Sequence, residues 1–241
     1  MTEMLYLLDC YLKEFDSRVV DISEDDKNFF VILEQTAFYP RSGGQPEDKG
    51  FLIIGNSKYP VKDVIKNNDS VVHVIEKTEG FDLKKGDFVK GIIDWDRRYY
   101  FMRCHTAAHI LSAIINLETG AFITGNNIDE DKVRIDFNLE NFDREKLNEY
   151  VRKANEFMKE DHAVELSILN REDAFKIPNL VKLQKMLPES IKNVRIVEIQ
   201  GLDIQACGGT HVKNTSEIGS IQLLNVENKG KNNRRIYFKV L

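Results

Sequence analysis

Two five-residue patterns constrain this chain more than any other feature: HTAAH at residues 105–109 and CGGTH at residues 207–211. Each sets two metal-type donors four residues apart, His105 with His109 and Cys207 with His211. Three imidazoles and one thiol are the donor set of a tetrahedral zinc site. The two pairs lie about a hundred residues apart. A fold that uses them together must bring two remote segments to one point. The donors favour zinc over magnesium or calcium, which take oxygen ligands. Gly208 and Gly209 permit a tight turn that lets Cys207 and His211 converge on one ion. Four protein ligands ordinarily close a structural site, whereas a catalytic zinc keeps a position open. Spacing alone leaves both roles standing.

The segment DWDRRYYFMRCHTAAHILSAIINLETG predicts one long helix that stops at Gly120. Phe101, Ala108, Ile110, Leu111 and Ile114 supply its core face. Positions four apart share a helix face, so His105 and His109 project together. Cys104 points about 100° away from His105. It reads, like Cys10, as a small buried hydrophobe.

Upstream, residues 1–92 are β-rich. VVDIS, FFVILEQ, GFLIIG, YPVKDVIK, SVVHVIEK and DFVKGIIDW are short β-branched or aromatic runs between turn residues, the pattern of a small barrel or sandwich. The alternation in SVVHVIE predicts His73 on the solvent face of a strand. Downstream, residues 93–241 mix helices with hairpin-linked strands. FDREKLNEYVRKANEFMKED is an amphipathic helix with Leu147, Val151, Ala154 and Met158 in one stripe and Asp143 as its N-cap. GSIQLLNVEN and RRIYFKVL form a hairpin around KGKNN. The fold class expected is α+β.

Composition narrows the functional classes. A hydrophobic content of 42% is ordinary for a globular core. Three cysteines argue against a disulfide framework and for a reducing, cytoplasmic setting. No apolar run is long enough to span a bilayer. The N-terminal apolar stretch lacks a basic leader and reads as mature structure. A formal net charge of −5 excludes a broadly basic nucleic-acid binder. Local basic groups remain: Arg97, Arg98 and Arg103, and Lys229, Lys231, Arg234 and Arg235. Of these, Arg97, Arg98, Arg234 and Arg235 are the candidates for RNA phosphate contact.

A second signature is TAFYPRSGGQPEDKG, residues 36–50. As a bare loop it is a Gly-Pro-rich turn. Gly43 and Gly44 also let backbone N–H groups approach a ligand, while Thr36 and Gln45 offer neutral hydrogen bonds.

Taken together, these residues resemble the editing domains of alanyl-tRNA synthetases and their free-standing relatives, the AlaX trans-editing proteins. The SGGQ loop, HTAAH, CGGTH and the closing stretch around Arg234, Arg235 and Ile236 occur in that family's order. The resemblance runs from about Thr36 to the end and fits the medium-length AlaX class. It implies an N-terminal small β-barrel bearing the glycine-rich loop (1–92). A zinc-binding α+β editing domain with a mainly antiparallel sheet follows (93–241). The ion would sit between the two or near their junction, held by His105, His109, Cys207 and His211. Thr36, Gly43, Gly44, Gln45, Gly208, Gly209 and Thr210 would contact substrate. The implied activity is zinc-dependent hydrolysis, in trans, of tRNA(Ala) wrongly esterified with serine or glycine. No ATP-binding aminoacylation module or nucleotide cofactor is expected. Two alternatives stand beside it: a noncatalytic RNA-binding module with structural zinc, and a deacylase for another misacylated tRNA.

Overall fold

The computed structural model describes residues 2–140, 143–178, 180 and 191–241. Two compact units divide the chain, Met1–Tyr100 and Phe101–Leu241.

The first unit is built on strands β1 (Glu3–Met4), β2 (Glu14–Glu24), β3 (Asn28–Leu33), β4 (Gln35–Thr36), β5 (Gly50–Ile54), β6 (Ser57–Val61), β7 (Asp63–Asn67), β8 (Ser70–Glu76) and β9 (Phe88–Ile93). Seven of them form one antiparallel sheet in the order β6-β5-β9-β2-β3-β8-β7, while β1 and β4 form a short parallel pair. Strand β2 makes the sheet curl. Its first half pairs with β9 and its second half with β3, with a register shift between Val19 and Asp21. Such a bulge bends the strand and sharpens the local twist. The concave side buries Val19, Leu33, Leu52, Val64 and Ile75 completely or nearly so. Among the described residues the pairing ends at β6 and β7, so the strands define a curled half-barrel.

His73 departs from expectation. It is fully enclosed, not solvent-facing. Along β8 it shares a face with Val71 and Ile75, which are also fully buried. Burial pushes its imidazole down to about 4, against the pull of its bond to the Val31 carbonyl. The folded value therefore lies below the unfolded one, and the unfolded chain binds the proton more tightly. Stability is lost as pH falls from 6.5 towards 4, by about 3 kcal/mol from this group alone. Urea unfolding at pH 7 and pH 4.5 should show that component in the wild type and lack it in His73→Gln.

The second unit takes most of helix α1 (Trp95–Thr119), which starts in the last residues of the first. Gly120, at φ +71°, ends the helix, a left-handed position that glycine fills without strain. Phe101, Ala108, Ile110, Leu111 and Ile114 are buried as expected. Strands β10 (Ile123–Ile128) and β11 (Val133–Phe137) lead to α2 (Arg144–Lys159). The Asp143 side chain caps α2 by accepting from Glu145 N–H. Its apolar stripe of Leu147, Tyr150, Val151, Ala154 and Met158 is buried. After β12 (Val164–Asn170) and the short α3 (Arg171–Ala174) come β13 (Asn193–Ile199), β14 (Asp203–Ala206), β15 (Ile221–Asn228) and β16 (Arg234–Val240). They complete two antiparallel sheets, β10-β11-β16-β15 and β12-β13-β14. The molecule is a mixed helix-and-strand fold with mainly antiparallel sheets. Among the described residues no helix is long and apolar enough to cross a membrane.

Candidate metal centre

Helix α1 places His105 and His109 one turn apart, and their ring centroids lie 5.2 Å from each other. The turn after β14 brings His211 to 4.3 Å from the His105 ring and 4.8 Å from the His109 ring. Cys207 Sγ stands 3.6 Å from His105 Nε2 and 3.3 Å from His211 Nε2. One donor atom from each of the four residues lies within 4.8 Å of all the others. A tetrahedral zinc ion with ordinary Zn–N and Zn–S bonds separates its donors by about 3.3–3.7 Å. The donor set and the two thiol–imidazole distances fit such an ion. All four residues belong to the second unit.

Electrostatics within the cluster is shaped by burial and by the thiol. Burial pushes the Cys207 thiol up, but the neighbouring imidazoles, His105 foremost, outweigh it and hold the thiol well below its usual value. Burial and the neighbouring His105 lower His211 to about 3, so its ring is neutral. Burial also disfavours charge on His109, yet Asp203 and Cys207 raise it to about 10. A proton on His109 and a bound cation answer the same need, which is to balance a buried thiolate.

Two supporting residues were not legible from the two patterns. Thr106, fully buried inside HTAAH, donates its hydroxyl to Met102 O at 3.0 Å and contacts His211 Nδ1 at 3.1 Å. Its one proton is spent on the carbonyl, so towards His211 it accepts. The His211 proton therefore sits on Nδ1, which leaves Nε2 bare on the side of Cys207. Arg195, 8% exposed, donates from one terminal nitrogen to Cys207 O (2.7 Å) and Gly209 O (2.8 Å). It thereby fixes the turn on both sides of Gly208. Gly209 N–H in turn points at Cys207 Sγ, 3.4 Å away. Neither Gly208 nor Gly209 has a positive φ. Backbone freedom is therefore not what the turn takes from them. Gly208 is exposed, and a Cβ there would meet nothing within 4 Å. Thr210 is fully buried.

In the first unit, Gly43 (φ +58°) and Gly44 (φ +84°) occupy the central positions of a tight turn closed by mutual Ser42–Gln45 backbone bonds. Two positive φ angles make it the hairpin turn that favours glycine. Gln45 is 1% exposed and Thr36 is fully enclosed. The Thr36 hydroxyl meets His73 Nε2 at 2.8 Å and accepts from Phe38 N–H at 3.1 Å. His73 Nδ1 faces the Val31 carbonyl at 3.0 Å. A carbonyl only accepts, so Nδ1 carries the proton of the neutral ring. Nε2 then accepts from Thr36, which has only acceptor capacity left.

The four arginines read as phosphate contacts serve internal roles, and two are corrected outright. Arg98 is fully buried, bonded through Nε to both Asp48 carboxylate oxygens at 2.9 and 3.0 Å and through its terminal nitrogens to Cys10 O and Ala37 O. Arg234, 7% exposed, donates to Asn228 Oδ1, Gly230 O and Glu140 O. Neither guanidinium has a face for phosphate. Arg235 makes a two-bond pair with Asp136 at 2.7 and 2.9 Å. Arg97 donates to Glu47 O at 3.2 Å. Sequence displays Arg97, Arg98 and Arg235 as a basic surface because their acceptors lie tens of residues away.

Comparison with known proteins agrees with this geometry. Residues 194–237 match the family described as Threonyl and Alanyl tRNA synthetase second additional domain, and residues 10–97 match tRNA synthetases class II (A). The chain is 49% identical over 247 residues to the alanyl-tRNA editing protein AlaX-M of Methanosarcina acetivorans, with 100% of both chains covered. It is 47% identical to the AlaX-M of Saccharolobus solfataricus, covering 100% of this chain and 99% of that one. With the AlaX-L of Pyrococcus horikoshii it shares 37% identity, over 99% of this chain and 58% of the longer relative. The likeness spans both units and the whole cluster, and the chain belongs to the AlaX-M family of alanyl-tRNA editing proteins.

Proposed function

We propose that this protein is a zinc-dependent aminoacyl-tRNA deacylase of the cytoplasm. It removes serine or glycine, in trans, from mischarged tRNA(Ala). The observation that carries the reading is the convergence of three imidazoles and a thiol, their donor atoms all within 4.8 Å of one another. It occurs in a chain that matches alanyl-tRNA editing proteins over their full length. His105, His109, Cys207 and His211 hold the ion. When bound, zinc supplies Lewis acidity towards an ester carbonyl or a water. Residues 93–241 carry this centre, and residues 1–92, as a small barrel, carry the glycine-rich loop.

Editing answers a physical limit of recognition. A pocket shaped for alanine cannot exclude smaller glycine by size. Against an added hydroxyl, as on serine, discrimination reaches roughly a hundredfold in a comparable case. A second, hydrolytic site selects for the misfit. Thr36 is the proposed serine contact. Its proton is held by His73 and one lone pair by Phe38 N–H, so this enclosed hydroxyl would take a seryl hydroxyl that reaches it as a donor, and glycine has none to offer. Gln45, Gly43 and Gly44 on the loop, and Gly208, Gly209 and Thr210 beside Cys207, are the proposed contacts to the rest of the ester. The open space at Gly208 leaves room for one.

The reading is tested with seryl-, glycyl- and alanyl-tRNA(Ala). Hydrolysis of the first two, with alanyl-tRNA(Ala) largely spared, is expected; inertness toward all three by zinc-loaded protein would overturn it. Thr36→Val should lower serine release about tenfold relative to glycine release, the size of one lost hydrogen bond to a buried group. An unchanged serine-to-glycine ratio removes Thr36 from recognition. The ratio is the right readout because the variant also strands His73 Nε2 and lowers stability.

A further inference from the structure

Strand β14 sets Asp203 and Gln205 on one face, and Cys207 follows at the same two-residue step. The face that delivers the thiol thus also delivers a carboxylate. Asp203 Oδ2 lies 3.4 Å from His109 Nδ1, with the side chains 13% and 9% exposed. That Nδ1 is sealed from solvent and forms no aligned hydrogen bond, so Asp203 meets it at ion-pair distance only. A buried ring nitrogen left without a partner is costly. Asp203 is the acceptor placed to relieve it. Gln205 Nε2 steadies the carboxylate with a 2.9 Å bond to the same Oδ2. The arrangement repeats what Thr106 does for His211, where Nδ1 is also the outward nitrogen.

We infer that Asp203 is the positioning residue of the metal centre: its carboxylate takes the His109 Nδ1 proton in a hydrogen bond, fixing the tautomer that leaves Nε2 for the ion. Outer carboxylates of this kind orient a histidine ligand and raise its basicity. Charge balance supports the assignment. Around a divalent cation, one thiolate and one carboxylate give a neutral buried centre, whereas the thiolate alone leaves one uncompensated positive charge. The inference rests on the proposed use of His105, His109, Cys207 and His211 as ligands.

The test is zinc affinity, measured on purified full-length protein by competition with a chromophoric chelator. The visible spectrum of the cobalt(II)-substituted protein reports ligand geometry alongside it. Asp203→Ala is expected to weaken zinc binding by about 10- to 100-fold and to shift the cobalt bands, with the far-ultraviolet circular dichroism of the wild type. Asp203→Asn keeps an acceptor oxygen without the charge and should lose less. A folded Asp203→Ala protein with wild-type zinc affinity and cobalt spectrum overturns the assignment. Should the alanine variant fail to fold, the asparagine variant decides by the same two readouts, and wild-type values there overturn it equally. Wild-type protein that binds no zinc is a separate outcome, since it removes the metal reading itself.

Discussion

Cys207→Ala is expected to strip the protein of its metal and to cut deacylation by more than about a hundredfold, since losing even an outer-shell partner costs 10- to 100-fold. Cys207 is the one donor of the four that brings negative charge. Despite burial, its histidine neighbours, His105 foremost, hold its thiol well below the usual range, which favours the thiolate that a metal takes. Without it, three imidazoles remain, and burial has already weakened the basicity of His211. Zinc content after dialysis and the rate of seryl-tRNA(Ala) hydrolysis check the prediction together. A variant that keeps one equivalent of zinc and wild-type rate shows that Cys207 is not a ligand.

Arg98→Met is expected to destabilise the protein by about 3–5 kcal/mol, the range for removing one partner of a buried ion pair. The neck of the glycine-rich loop depends on this residue. Asp48 accepts from Tyr39 N–H at 2.6 Å as well as from Arg98, while Arg98 also holds Ala37 O at 2.6 Å. Arg98 therefore ties both ends of the segment that contains Gly43 and Gly44. The methionine variant leaves Asp48, 1% exposed, as an unpaired charge in the interior. The double variant Arg98→Met with Asp48→Leu removes both charges and should recover part of the loss. Urea unfolding of the single and double variants measures it. A single variant within 1 kcal/mol of wild type would show that the pair adds little.

Much of the second unit was legible before its structure. Helix α1, its stop at Gly120, the Asp143 cap and the final hairpin all follow from local chemistry: apolar period, capping residue, turn composition. The four donors were legible because two pairs spaced four apart in one chain, the second around paired glycines, add up to a zinc-type donor set; a histidine pair four apart is by itself common. Their partners were not. Thr106 sits within HTAAH but looks like any helical threonine until its proton is traced. Asp203 and Arg195 become supporting residues only once β13 and β14 pair and turn into the site.

His73 shows the limit of alternation as a guide. Around it, Val71 and Ile75 share its face, while Val72 and Val74 hold the other. Both faces are apolar, so period-2 patterning sorts the residues into two sets without saying which faces inward. The curl of the sheet makes that choice. The arginines show a second limit. Arg98 and Arg235 find Asp48 and Asp136 across separations of 50 and 99 residues. A count of charges along the chain cannot register such pairs.

The most direct test of zinc-dependent editing is a single rate: hydrolysis of seryl-tRNA(Ala) by full-length protein as purified, after chelation, and after zinc is restored. Fast serine release, its loss on chelation and its recovery with one equivalent of zinc are expected. Serine release that persists in fully metal-free, folded protein would contradict that dependence.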